Sequence, residues 1–219
     1  MILYDYWRSS SGWRVRIALH HKQIPFERRV VNLVKEGGGE QHGADFQTLN
    51  PLRQVPVLVV EEGGAARALT QSLAILAYLE QRFPSPPLIP AEPWLRARAL
   101  QMAEMVNAGI QPMQNLALQQ HLRAHGVADP PAFARHFIGR GLEALEVVAR
   151  ETAGRFLIGD TPTIADVYLV PQLYGSRRYG ADLAAFPTLR RVEEACAALP
   201  AFAAAHPDAQ TDAVTAPKT

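Results

Sequence analysis

The run Pro84-Ser85-Pro86-Pro87-Leu88-Ile89-Pro90 divides this chain of 219 residues into two parts that cannot share a helix. Each proline lacks a backbone donor and restricts the residue before it, so the segment reads as a linker. Upstream of it the hydrophobic period changes repeatedly. Ile2–Trp7 is rich in β-formers, Ser9-Ser10-Ser11-Gly12 makes a small-residue turn, and Trp13–His20 places Val15, Ala18 and Leu19 at helical spacing. Phe26–Leu33 alternates as a second strand, so the opening is a βαβ unit with parallel strands. After Gly37-Gly38-Gly39 come a short helix over Ala44–Leu49 and a strand over Val57–Val60. A brief strand near Ala68–Leu69 completes an antiparallel hairpin, and Ser72 is placed to cap a helix carrying Leu73, Ile75, Leu76 and Leu79.

Downstream of the prolines only helical period remains. One long helix over Trp94–Ala124 is expected, then Ala132–Arg150, Ile164–Tyr174 and Leu189–Ala198. Thr163-Ile164-Ala165-Asp166 reads as a capping box before the third of these. The tail Pro207–Thr219 is small and polar and is expected to fray. The expected organisation is an α/β domain over 1–83, a linker over 84–90, an all-helical domain over 91–206 and a tail over 207–219. No internal repeat is present.

Composition removes several function classes. The chain has 22 Lys+Arg against 21 Asp+Glu and no basic run interleaved with aromatics, so nucleic acid is not an expected partner. Asp5 and Arg8 interrupt the apolar stretch that a signal peptide needs, and no later apolar run reaches spanning length; a cytoplasmic protein with no membrane partner is expected. The single cysteine, Cys196, excludes an internal disulfide framework, and its place in the apolar-spaced Val192–Leu199 segment marks it as buried and inert. His121 and His125 have a zinc-like spacing, but Leu122 stands where the metalloprotease motif needs glutamate, so no metal is expected.

The serine turn carries the chemistry. Hydroxyls and backbone N–H groups at a helix start converge on one point, the positive helix end favours negative charge there, and a thiol held at that point ionises more readily. Taken alone, the same residues are an ordinary N-cap.

Other motifs decide between the two readings. Arg8-Ser9-Ser10-Ser11-Gly12-Trp13-Arg14-Val15-Arg16-Ile17-Ala18-Leu19 resembles the zeta-class signature of the glutathione transferases, with Ser11 in place of a cysteine. Phe46-Gln47, Leu49-Asn50-Pro51, Gln54-Val55-Pro56, Gln71-Ser72-Leu73-Ala74-Ile75 and Gln111-Pro112-Met113-Gln114-Asn115-Leu116 resemble the same class. The resemblance implies a thioredoxin-like domain followed by a helical domain, usually in a homodimer. It makes Ser9 the hydroxyl that hydrogen-bonds the glutathione thiolate, with Ser10 and Ser11 lining the same pocket. Val55 is the residue whose backbone pairs with the cysteinyl part of glutathione, ahead of a cis Pro56. Gln71 and Ser72 receive the γ-glutamyl carboxylate at a helix start. Gln41, Gln111 and Asn115 are carried over as further cofactor contacts, the last two sharing a face of the long helix. Arg8 and Arg178 match positions that face the substrate, where guanidinium groups grip carboxylates.

The implied reaction is glutathione-dependent cis–trans isomerisation of a dicarboxylate, with glutathione regenerated. Maleylacetoacetate is the substrate implied first, which would place the enzyme in aromatic amino acid catabolism; maleylpyruvate is the alternative. A conjugating or dehalogenating transferase would use the same thiolate, and a non-catalytic binding protein would lose Ser9 or the arginines.

Overall fold

The computed structural model describes residues 1–36 and 38–213. The last part of the expected tail, 214–219, and Gly37 of the glycine loop lie outside these residues. The described chain runs β1 (Ile2–Asp5), α1 (Ser10–His21), β2 (Glu27–Val30), α2 (Ala44–Leu49), β3 (Val57–Glu62), β4 (Ala65–Thr70), α3 (Ser72–Arg82) and α4 (Pro93–Glu104). It continues through α5 (Leu116–Ala124), α6 (Pro130–Ala149), α7 (Ile164–Arg178), α8 (Pro187–Ala197) and α9 (Pro200–Ala205). Two compact units result: Met1–Pro87 together with the chain from Pro200 onward, and Leu88–Leu199.

In the first unit the strands lie in the order β2-β1-β3-β4, with β1 parallel to β2 and antiparallel to β3, as the βαβ and hairpin patterns require. Leu3 and Leu58 are register partners and both are fully buried. Side chains alternate across a sheet, so Tyr4, Val57 and Val59 face the other way, into a cluster with Phe46 of α2, Tyr6, Trp7 and Val55. Every residue of α1 from Gly12 to Leu19 is buried. Two of them, Arg14 and Arg16, are charged, and their partners fix the site described below.

Four expectations are corrected here. Ser72 does not cap α3: Gln71 is the N-cap, with a left-handed φ of 67°, and Ser72 is the first helical residue. Trp94–Ala124 is not one helix. Pro112 cannot donate to the preceding turn, and the chain passes from α4 through a π turn at Met105–Ile110 and a 3-10 turn at Gln111–Gln114 before Asn115 starts α5. The helical unit closes at Leu199, and α9 belongs with the first unit. Nor does the chain fray at Pro207: a 3-10 turn at Pro207–Ala209 follows α9, and Asp212 is paired with Arg28 at 2.6 Å.

In the second unit α7 is the central helix, since every residue from Ile164 to Ser176 except Tyr174 is buried. The expected capping box forms at its start: Asp166 accepts from the Thr163 N–H at 2.7 Å, the Thr163 hydroxyl at 3.0 Å and the Leu157 N–H at 2.8 Å. Glu146 of α6, itself buried, caps α8 from a distance by accepting the Thr188 and Leu189 N–H groups, both at 3.1 Å. Cys196 is buried, and desolvation pushes its thiol far above the ordinary range. The His121 and His125 rings lie 4.0 Å apart between centroids with their planes tilted by 33°, and the His125 Nδ1 lies 2.9 Å from the His121 carbonyl oxygen. No helix among the described residues is long and apolar enough to cross a membrane.

Candidate functional site

Strand register brings three separated segments to one end of the sheet. Tyr4 is opposite Val57, and Val57 is opposite Thr70, so the chain leaving β1, the chain entering β3 and the chain leaving β4 meet side by side. These are the segments that carry Ser9, the Val55-Pro56 bond and Gln71-Ser72. The Val55-Pro56 peptide is cis, and Val55 packs in the cluster that holds Tyr6 and Trp7.

Ser9 is the N-cap of α1: its Oγ accepts the Gly12 N–H at 3.1 Å, and its own N–H donates to the Tyr6 carbonyl at 2.9 Å. Ser10 and Ser11 form the first turn, half-buried, in a helix with no acidic residue there to offset its positive end. α3 likewise has no acid in its first turn. Its buried Ser72 hydroxyl accepts from Arg14 Nη1 at 3.2 Å, which ties the starts of α1 and α3 together. Two helix starts without an acidic residue in the first turn, joined in this way, suit a ligand carrying a carboxylate and a thiolate.

Gln41 lies in a 3-10 turn at Glu40–His42 and is buried; its Nε2 makes long contacts to the Leu33 carbonyl at 3.5 Å and the Gly38 carbonyl at 3.4 Å. Arg8 is half-buried with its guanidinium 5.4 Å from the centre of the Trp7 ring, an arrangement that holds the cation beside the serine turn.

Three of the expected site residues belong to the second unit. Gln111 and Asn115 do not share a helix face, because the helix breaks between them: Gln111 opens the 3-10 turn, and Asn115 caps α5 by accepting the Ala117 N–H at 2.9 Å. Arg178 is the exposed last residue of α7. The two regions are nonetheless joined. Gln114 and Gln172 exchange amide hydrogen bonds at 3.2 Å, Gln172 also donates to Ser176 at 3.1 Å, and the Tyr179 hydroxyl donates to the Gln114 carbonyl at 2.8 Å.

A buried charge chain beneath the serine turn escaped the sequence reading. Asp5 and Arg16 are fully buried and paired; Arg28 reaches Asp5 at 3.4 Å and Asp212 at 2.6 Å. Arg16 also donates to the carbonyls of Trp7 at 2.9 Å and Ala205 at 3.0 Å. The available signal was a pair of arginines, Arg14 and Arg16, two positions apart within the otherwise apolar run Trp13–Leu19, where burial demands partners.

Residues 8–82 match the family model of the glutathione S-transferase N-terminal domain, and residues 117–210 that of the C-terminal domain. The chain is 44% identical to a probable maleylacetoacetate isomerase of Vibrio cholerae over 97% of this chain and 98% of that one. A crystal structure of a maleylacetoacetate isomerase from Anaeromyxobacter dehalogenans, with glutathione bound in the active site, is 54% identical over 97% of each chain, with a TM-score of 0.89. That protein has also been solved with bound dicarboxyethyl glutathione and citrate. A maleylpyruvate isomerase described as a bacterial zeta-class glutathione transferase is 40% identical with a TM-score of 0.91, over 98% of this chain and all of that one.

Proposed function

The chain belongs to the glutathione S-transferase family, among the zeta-class maleylacetoacetate isomerases, and on that premise we propose that it is a glutathione-dependent cis–trans isomerase converting maleylacetoacetate to fumarylacetoacetate. The observation that carries this reading is the meeting of the Ser9 turn, the cis Val55-Pro56 bond and the Gln71-Ser72 helix start at one end of the sheet. These segments offer a hydroxyl, a strand-like backbone and two helix N-termini within one small unit, and their chemistry fits a thiol tripeptide with a terminal carboxylate.

Bound glutathione supplies a thiolate that adds reversibly to a double bond conjugated with a carbonyl, so that rotation precedes its departure. The Ser9 hydroxyl donates to the sulfur and holds it ionised, aided by the first-turn N–H groups of Ser10 and Ser11. The backbone of Val55 pairs with the tripeptide as an added strand. The N–H of Ser72 takes the γ-glutamyl carboxylate, with Gln71 beside it and Gln41, Gln111 and Asn115 as further contacts. Arg8 and Arg178 hold the carboxylates of the substrate and favour the charge that develops toward them. We further propose a cytoplasmic homodimer acting in aromatic amino acid breakdown.

Maleylpyruvate is the second reading, supported by the likeness of the chain to a zeta-class maleylpyruvate isomerase over nearly its whole length. Ultraviolet assays of both substrates, each with and without glutathione, test the proposal. Faster glutathione-dependent turnover of maleylacetoacetate is expected. Absence of glutathione-dependent turnover for both would reject it.

A further inference from the structure

We infer that Asp212 is a positioning residue for the serine turn: the returning C-terminal segment grips the Trp7 peptide and so sets where Ser9 stands. This inference rests on the functional reading of Ser9 given above. The Trp7 N–H donates to Asp212 Oδ2 at 3.1 Å, and the Trp7 carbonyl accepts from Arg16 Nη2 at 2.9 Å, so the two peptide groups flanking the Trp7 Cα are each held by one bond. Ser9 follows two residues later, and its N–H is bonded to the Tyr6 carbonyl at 2.9 Å, the other end of the same turn.

The charges run Arg16, Asp5, Arg28, Asp212, alternating in sign and largely shielded from solvent. Burial opposes ionisation of Asp212, but the hydrogen bond and charge of Arg28 outweigh it and hold the carboxyl below the usual carboxylate range. Asp212 therefore stays a full anion, with one oxygen on Arg28 and the other on Trp7. Arg16 binds the Ala205 carbonyl at the end of α9 at 3.0 Å, which brings the segment in from its other end. Ala213, next in the chain, packs against the cluster containing Trp7 and Val55. The Trp7 N–H is thus fixed by a side chain 205 positions away, and nothing local replaces it.

A catalytic hydroxyl misplaced by about 1 Å can lose up to about a hundredfold in rate, whereas ligand binding spread over several contacts changes much less. In the full-length protein, Asp212→Ala should lower kcat about tenfold or more while glutathione affinity by calorimetry stays within about threefold. The thiolate absorbance of bound glutathione at a fixed neutral pH should fall. Asp212→Asn, which keeps an oxygen for Trp7 but not the charge for Arg28, should lie between. Hydrogen exchange in glutathione-free protein should quicken at Trp7–Gly12. Asp208→Ala, at an exposed site in the same segment, should match wild type in every assay.

Thermal melts establish that each variant is folded at the assay temperature. A folded Asp212→Ala protein with wild-type kcat and unchanged exchange at Trp7–Gly12 would overturn the inference, as would a kcat loss that tracks only the unfolded fraction. Wild-type protein without glutathione-dependent isomerisation would overturn the functional reading, while the exchange comparison, which needs no glutathione, still decides whether Asp212 holds the turn.

Discussion

Replacing Gly12 with alanine should destabilise the protein even though alanine is the better helix former. Gly12 is the third residue of α1, where an exposed glycine-to-alanine change gains about 1 kcal/mol. Here a Cβ would lie 1.7 Å from Asp5 Oδ1 and 2.5 Å from Asp5 Cγ, roughly half and two-thirds of an ordinary contact distance. Relief requires a shift of more than about 1 Å by the helix or by the carboxylate. The helix is buried along its whole length from Gly12 to Leu19, so the carboxylate must move, which disrupts its pairing with Arg16. Breaking a buried ion pair costs about 3–5 kcal/mol, and subtracting the propensity gain leaves an expected loss of about 2–4 kcal/mol. Urea unfolding at constant m-value measures it. Gly139→Ala is the matched control: it lies within α6 with nothing inside 4 Å of the added Cβ, so it should gain about 0.5–1 kcal/mol. A Gly12→Ala protein as stable as wild type would refute the rigid packing of Asp5 against α1.

Ser9→Ala should lower kcat far more than it weakens glutathione binding, because the hydroxyl acts on the sulfur while binding is shared with Val55, Gln71 and Ser72; steady-state kinetics with calorimetry will read the split. Arg178→Ala should reduce kcat/KM for a dicarboxylate by about thirtyfold or more while sparing glutathione affinity and any conjugation of a neutral aryl halide, and equal losses on charged and neutral substrates would make the arginine structural. Burial pushes Asp166 up to about 6 from 3.8, against the hydrogen bonds from Leu157 and Thr163 that favour its ionised form. The folded chain therefore keeps a proton that the unfolded chain releases, so the stability contributed by this group is full below about pH 4 and lost as pH rises through about 6. The stability difference between wild type and Asp166→Asn, measured by urea unfolding, should shrink over that interval.

Local spacing determined what depends on neighbours a few residues apart. The proline run ended helices before Leu88; the helical period of α1 and the small-residue turn before it placed Ser9 at a helix start; Ala44–Leu49 formed as expected; and Thr163 and Asp166 sit three apart and close their own capping box. The break at Pro112 was also written locally, since the missing N–H is a property of that residue, and the apolar period through Trp94–Ala124 masked it. Only the tertiary structure decided the pairs that close large loops. Ser72 was expected to cap its own helix, and it instead faces Arg14, 58 positions earlier; Arg16 holds Ala205 across 189 positions, and Trp7 meets Asp212 across 205. Such contacts have no period and no fixed spacing. A buried guanidinium announces that it needs an acceptor, but which acceptor arrives depends on how sheet register and helix packing bring distant segments together. For that reason the serine turn was legible in the sequence, and the segment that holds it in place was not.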